Sequence, residues 1–390
     1  MDAGHDEIDS IIDLMEQDVK ELYNVAAADL QEKVSDYWRR YDLKNDVKSA
    51  QFQAGEITKQ EYIQWQTGQL LIGQRWEEQL NVITQDLLNA HNIAESIVNG
   101  YLPDVFALSH NYGSYEIDML LQGATNNALS ASKLGLSYTL YDRDTVIRLM
   151  RDKPEILPAL NPRSEMARKI AEGKVIQWEK KQVTSELLQG IVQGESNVDI
   201  AARMRKITNA DWKSTMRYAR TATTNTECAG RIESYKRAQK AGIELEQQWV
   251  ATLDQRTRHS HRQLDGQHIP VGSYFEVPDD ATGNIVRIRY PGQFSTPNDE
   301  YKVPPDMIWN CRCTIVAMLT GITELDEEGS NDLSNLEFRN AEKLEGMSYQ
   351  EWKKGYGKSD PILKAKKIGE ARKAQAIKEY KEAANRTGGG

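Results

Sequence analysis

The period of the apolar residues changes along this 390-residue chain at Gly242, and no other sequence feature restricts the fold as much. Upstream, apolar side chains recur every three or four positions, the spacing of one helix face. Downstream they alternate, as a strand with one buried face requires. Within residues 6–42, Ile8, Ile11, Ile12, Met15, Val19, Leu22 and Tyr23 form one helical stripe, which needs a covering partner, either another chain or later helices of this one. Thr58-Lys-Gln-Glu61 has the capping-box form, in which hydroxyl and carboxylate satisfy free backbone N–H groups, and opens a helix expected through Trp65, Leu70, Leu71, Trp76 and Leu80. Residues 166–191 and 199–207 continue the helical pattern, with a turn at Gly194-Glu-Ser-Asn197. Asn209 is then expected to cap a helix running through Tyr218, Ile232 and Tyr235 to Gly242, a residue suited to the left-handed position after a helix end. The fold class expected is α+β and predominantly α-helical, with an elongated helical N-terminal region, a small mixed α+β module and a helical C-terminal tail.

Proline lacks a backbone donor and clashes with the preceding turn, so Tyr101-Leu-Pro103 and the Pro154, Pro158, Pro162 cluster are expected to interrupt helices. Boundaries near 160, 242 and 320 follow. They divide the chain into a helical region (1–160), a helical region leading into the module (161–242), the module (243–320), and a linker with a basic helical tail (321–390). Residues 323–335 read as the linker and 353–384 as the basic helix. Charge is uneven: residues 1–100 hold 8 Lys+Arg against 19 Asp+Glu, and residues 351–390 hold 11 against 5. A basic tail can neutralise phosphates, but this one is interspersed with Glu, and a solvated helix face is the preferred reading. No run approaches the ~20 apolar residues of a membrane-spanning helix. The acidic start MDAGHDEIDS lacks the order of a secretory signal, and three cysteines fit a reducing cytoplasm better than a disulfide framework.

The distinctive chemistry lies in residues 249–317, which hold three of the six histidines and two of the three cysteines. Residues 249–252 are β-prone, Asp254 can accept from a helical turn beginning at Gln255, and Asp265-Gly266 ends that turn. Residues 268–277 and 284–290 read as strands, and 310–318 as a last, buried one.

The set Asp254, Arg256, Thr257, Arg258, His261, Asp265, Gly266, then Asn310, Cys311, Arg312, Cys313, resembles the signature of the phage Mu F-like minor head proteins, the head morphogenesis family. Arg220-Thr221 resembles that family's Arg-Thr helix motif, and Ala222 departs from the pattern, which has an acidic residue there. His259 and His268 are not part of it. The resemblance covers roughly residues 185–318. It implies a non-enzymatic, few-copy minor capsid protein of a tailed bacteriophage, portal-associated and acting in capsid assembly, with DNA packaging or ejection as a candidate further role, present in the virion inside the capsid near the portal vertex and in the host cytoplasm during assembly. The implied partners are the portal protein and other capsid proteins; packaged double-stranded DNA is a further candidate, through the basic tail. Some relatives carry toxin domains after the shared module, whereas roughly 70 residues follow it here.

The residues themselves leave two readings of the site. On a strand, Cys311 and Cys313 share a face, and with His259 or His261 they could hold zinc; a Cys-x-Cys without a second knuckle more often packs as two small buried residues, the reading preferred. His261 sits one helical turn before Asp265, and a structural hydrogen bond between them is preferred over catalysis. Arg256, Arg258 and Arg262 could hold phosphate or brace Asp254 and Asp265, and bracing is preferred. Trp249 and Trp309 read as core lids. The alternative function is a zinc-dependent hydrolase or nuclease using His261, Asp265 and thiolate-held zinc on phosphodiesters. No Gly-rich phosphate loop, His-Glu-x-x-His helix or Gly-x-Ser-x-Gly elbow supports it.

Overall fold

The computed structural model describes residues 3–124, 140–153, 165–295, 300–322, 339–340, 346–354 and 361–388. Helices α1 (Ala3–Arg39), α2 (Asp42–Gln53), α3 (Lys59–Leu70), α4 (Gln74–Ala124), α5 (Arg143–Asp152), α6 (Glu165–Gln193), α7 (Asn197–Ala202) and α8 (Met204–Gln239) precede strand β1 (Ile243–Val250). There follow α9 (His259–Leu264), β2 (His268–Pro270), β3 (Phe275–Pro278), β4 (Ile285–Ile288), α10 (Pro305–Ile308), β5 (Thr314–Ile322), β6 (Arg339–Asn340), α11 (Tyr349–Lys354) and α12 (Pro361–Gly388). The fold is α+β and predominantly helical. No helix among the described residues is long and apolar enough to cross a membrane.

Contacts group the chain into two units, with the positions 242 and 320 inside one segment of the first. One comprises Met1–Met15, Asn99–Asn161 and Arg217–Ile368; the other comprises Glu16–Val98, Pro162–Met216 and Gly369–Gly390. The expected boundary near 160, the Pro154–Pro158–Pro162 cluster and the linker at 323–335 lie outside the described residues.

The second unit is all helical. Leu30, Val34 and Trp38 of α1 pack with Leu80, Ile83 and Leu87 of α4, Val183, Leu187 and Ile191 of α6, and Met204 of α8. The Thr58 capping box forms, with Glu61 N–H donating to Thr58 Oγ1 at 3.2 Å and Thr58 N–H to Glu61 Oε2 at 2.8 Å. The helix it opens ends at Leu70 rather than continuing to Leu80, because Gly73 adopts a left-handed φ of 99° before α4 begins. Ser196 caps α7, accepting from Asp199 N–H, and Asn209 lies inside α8 instead of starting it: the run from Met204 needs no cap in mid-helix. Of the expected tail helix, 353–354 lie in α11 and 361–384 in α12, and 355–360 lie outside the described residues. In this unit α12 buries Ala376, Tyr380 and Ala384, with Tyr380 Oη donating to Asp29 at 3.0 Å and Thr387 Oγ1 to Asp86 at 2.6 Å. Lys373 lies 3.0 Å from Glu21 and 3.5 Å from Asp18, so this basic side chain spends its charge on acidic α1.

In the first unit, Ile117, Leu120 and Leu121 of α4 and Cys228, Ile232 and Tyr235 of α8 pack against Ile243 and Leu245 of β1 and Ile315, Ala317 and Leu319 of β5. The helices approach closely because two contact positions are glycines: a Cβ on Gly230 would lie 2.7 Å from Phe106 O, and one on Gly113 2.2 Å from Ser234 Oγ. The sheet runs β2-β1-β5-β6, antiparallel in each pair, and β3 and β4 form a separate antiparallel hairpin. Residues 268–277, expected as one strand, divide between the two sheets because Gly272 turns the backbone with a φ of 86°. Pro103 does not interrupt α4. Buried Leu102, Val105 and Phe106 hold the helix on either side of it, and Arg143 donates to Gly100 O at 2.6 Å and to Asp104 Oδ2 at 2.5 Å, satisfying the backbone nearby.

The stripe on α1 is covered by this chain alone: Ile11, Met15, Val19 and Leu22 are fully buried. Of the two partners open to it, the chain's own elements cover it, and the face is closed to another protein.

Candidate functional site

Gly242 leaves α8 with a φ of 86°, and β1 then runs antiparallel to β5, with Trp249 opposite Ile315 and Val250 opposite Thr314. The loop after β1 and the segment 309–313 before β5 therefore lie at one end of this ladder. Thr252 Oγ1 ties them, donating to Arg312 O at 2.7 Å. Gly266, with a φ of 76°, reverses the chain after α9, its N–H donating to Trp249 O at 2.9 Å, and Asp265 Oδ1 accepts from Ala251 N–H at 2.8 Å.

Asp254 gathers the polar residues of the set. Arg312 donates to both its oxygens, at 2.6 and 2.7 Å, in the two-pronged geometry that suits guanidinium and carboxylate. Arg256 N–H donates to Oδ1 at 2.9 Å, and Thr257 Oγ1 donates to Oδ1 at 3.2 Å and to Thr252 O. Arg312, with these lesser donors, holds the Asp254 carboxyl well below the usual range. Arg262 donates to Asp254 O at 2.6 Å, and Arg258 to Trp309 O at 2.5 Å. Two of the three arginines are thus bound to backbone carbonyls, and the exposed Arg256 side chain stands 3.8 Å from Asp254. Asp254 does not open a helix at Gln255: α9 begins at His259, and residues 254–257 form a turn closed by the Asp254 carboxylate.

On the buried side, His261 Nε2 lies 3.1 Å from Met307 O, and Nδ1 lies 3.5 Å from the sulfur of Cys311 and 3.5 Å from that of Cys313. A carbonyl only accepts, so Nε2 carries the proton and Nδ1 turns its lone pair toward the thiols. The Cys311 neighbour, followed by His261, lowers Cys313 toward thiolate, while Cys311 itself is held up by Cys313 and by burial. His261 makes no pair with Asp265, because its ring faces inward while Asp265 bonds the backbone of residue 251. Cys311 and Cys313 precede β5 rather than lying in it: the left-handed φ of 56° at Asn310 breaks the extended run expected from 310. The three donors His261, Cys311 and Cys313 lie within 4.8 Å of one another and are all buried. The other metal candidate, His259, is exposed and sits 3.8 Å from Asp280.

Helix α8 supports this segment through hydroxyls. Thr221 Oγ1 accepts from Asn310 N–H at 3.1 Å, and Thr224 Oγ1 donates to Cys311 O at 2.8 Å. Arg220 is exposed. Trp249 is fully buried, edge-on to the His261 ring at 5.3 Å, and Trp309 is half-buried against Phe294. An open groove of about 670 Å³ beside β4 is lined by residues such as Asp279, Arg287 and Tyr301, and none of the set faces it.

Sequence reasoning missed a buried ionic network one turn further along α8. Arg231 donates to Glu116 Oε1 at 2.8 Å and to Ile315 O at 3.2 Å, and lies 3.4 Å from Glu227. Glu116 also accepts from Tyr235 at 2.7 Å; Glu227 accepts from Thr314 at 2.8 Å and lies 3.2 Å from His5 Nδ1. Burial works to raise Glu227, but His5, Arg231 and Thr314 hold it below the usual carboxylate range. The signal in the sequence was only Glu227, Arg231 and Tyr235 at four-residue spacing on one helix; Glu116, Thr314, Ile315 and His5 are more than 80 positions away.

Comparison with known proteins gives the following. Residues 181–316 match the model of the family described as Phage Mu protein F like protein. Over 171 residues, 44% of this chain and 30% of the relative, the chain is 28% identical to the NAD(+)--arginine ADP-ribosyltransferase EFV of Enterococcus faecalis. Over 172 residues, 44% of this chain and 50% of the relative, it is 27% identical to Minor head protein GP7 of Bacillus phage SPP1. The chain thus spans half or less of these curated relatives. No solved structure matches significantly.

Proposed function

We propose that this chain, which carries a phage Mu F-like domain over residues 181–316, is a minor head protein of a tailed phage that acts without catalysis in capsid assembly. Its site of action is the portal vertex, inside the capsid, with the portal protein and other capsid proteins as partners. The observation that carries the reading is the match to a minor head protein, joined to what the motif residues do. Asp254, Arg258, Arg262, Asp265 and Arg312 bond one another or the nearby backbone, and His261, Cys311 and Cys313 are buried, which is the arrangement of a rigid docking module. The alternative hydrolase needs His261 and Asp265 to converge on substrate, and the structure aims them in different directions. The activity named for the Enterococcus relative belongs to a protein of which the match covers 30%, and it is not carried over.

Contact of the basic tail with packaged DNA is not part of this reading. Exposed Lys366, Lys367, Lys378 and Lys381 alternate with exposed Glu370, Glu379 and Glu382, so the free face of α12 is of mixed sign and a poor phosphate track.

Asp265→Asn separates the two functions. The amide oxygen still accepts from Ala251 N–H, so the variant is expected to restore full head yield in a phage deleted for this gene. A catalytic Asp265 predicts a loss of several orders of magnitude in whatever step it serves. Failure of a folded, soluble Asp265→Asn chain to restore heads would argue for the hydrolase.

A further inference from the structure

We propose that His261, Cys311 and Cys313 bind a zinc ion that clamps α9 to the segment leading into β5. The inference stands apart from the role in heads and rests on the geometry of these three side chains. With zinc–sulfur bonds of about 2.3 Å and a zinc–nitrogen bond of about 2.0–2.1 Å, the S···N edge of a zinc tetrahedron is roughly 3.5–3.6 Å. Both S···N separations here are 3.5 Å, and all three donors fall within 4.8 Å of one another.

The surroundings are those a thiolate–imidazole site needs. The Met307 carbonyl holds His261 in the tautomer whose Nδ1 is free to ligate, the outer contact by which metal-binding histidines are oriented. Two buried thiolates side by side are costly alone, whereas with one Zn²⁺ the site is neutral. Binding is proton-balanced: Cys311 and Cys313 each release one proton to solvent, His261 binds as neutral imidazole, and no electron moves. Soft sulfur donors select zinc over calcium or magnesium. The ion would close a loop of about 50 residues between His261 and Cys311, fixing a segment that hydroxyls of α8 already hold from the other side.

The test uses the full chain purified without chelator. Elemental analysis is expected to give about one zinc per chain. After removal of the zinc, cobalt(II) should bind to the unaltered protein and give the thiolate charge-transfer band and the intense visible bands of tetrahedral coordination. The double substitution Cys311→Ser with Cys313→Ser should lose the metal, and Cys228→Ser, outside the set, should keep it. Because cobalt is read on the unaltered chain, a double variant that fails to fold leaves the test intact. An unaltered chain that holds no zinc and gives no thiolate band with cobalt overturns the proposal. So does a double variant with undiminished zinc.

Discussion

Arg231→Leu is expected to lower the stability of the chain by about 3–5 kcal/mol, a large share of a total of about 5–15 kcal/mol. The substitution removes the cation from a site where Arg231 and Glu116 are both fully buried, and takes from Glu116 and Glu227, which also accept from Tyr235 and Thr314, their contact with the guanidinium. It also removes the cation held 4.8 Å over the Tyr112 ring and the bond to Ile315 O. Urea unfolding followed by tryptophan fluorescence measures the cost. Adding Glu116→Gln should recover part of it, because the carboxylate that faced the guanidinium is replaced by a neutral amide. A loss below about 1 kcal/mol in the single variant would mean that the pair is hydrated and contributes no more than a surface pair.

The second large effect concerns α1. Changing Ile11, Met15 and Leu22 together to Asp is expected to abolish folding. All three are fully buried, and each carboxylate would lose hydration without a counter-charge, at a cost of several kcal/mol apiece against a total stability of about 5–15 kcal/mol. Circular dichroism and size exclusion of the variant check this. Had the stripe been an open docking face, the variant would fold and fail only to join its partner. Recovery of a folded, cooperative monomer would therefore return the stripe to the surface.

The stripe illustrates what the sequence makes legible. Its three- and four-residue spacing specifies a helix with one buried face, but the same spacing serves a face buried internally and one reserved for another protein, so the choice waited on the tertiary structure. Local signals with a defined mechanism were readable: the Thr58–Glu61 box and the turn at Gly242 both depend on residues within four positions. Pro103 was misread because proline's local penalty is small beside the burial of Leu102, Val105 and Phe106. Asn209 was misread because an N-cap preference has no force once α8 has begun upstream at Met204.

In the candidate site the grouping was legible, but not the directions. Bracing of Asp254 by arginine was foreseeable from nearby opposite charges, yet the strongest donor is Arg312, 58 positions away, and not the neighbouring Arg256. Helical spacing suggested His261 with Asp265, and only the position of Met307 O reveals that the imidazole turns inward to the two sulfurs. Glu116, Arg231 and His5 could not be joined from sequence, since charged residues at such separations are ordinarily solvated.

The central claim is that this chain works as a structural part of the phage head, and asymmetric imaging of the portal vertex in purified particles tests it most directly. The expected result is density for a few copies of the chain on the capsid interior beside the portal, recognisable by the sheet of β1, β2 and β5 and the separate β3–β4 hairpin. Particles that are complete and infectious yet hold no copies of the chain would contradict it.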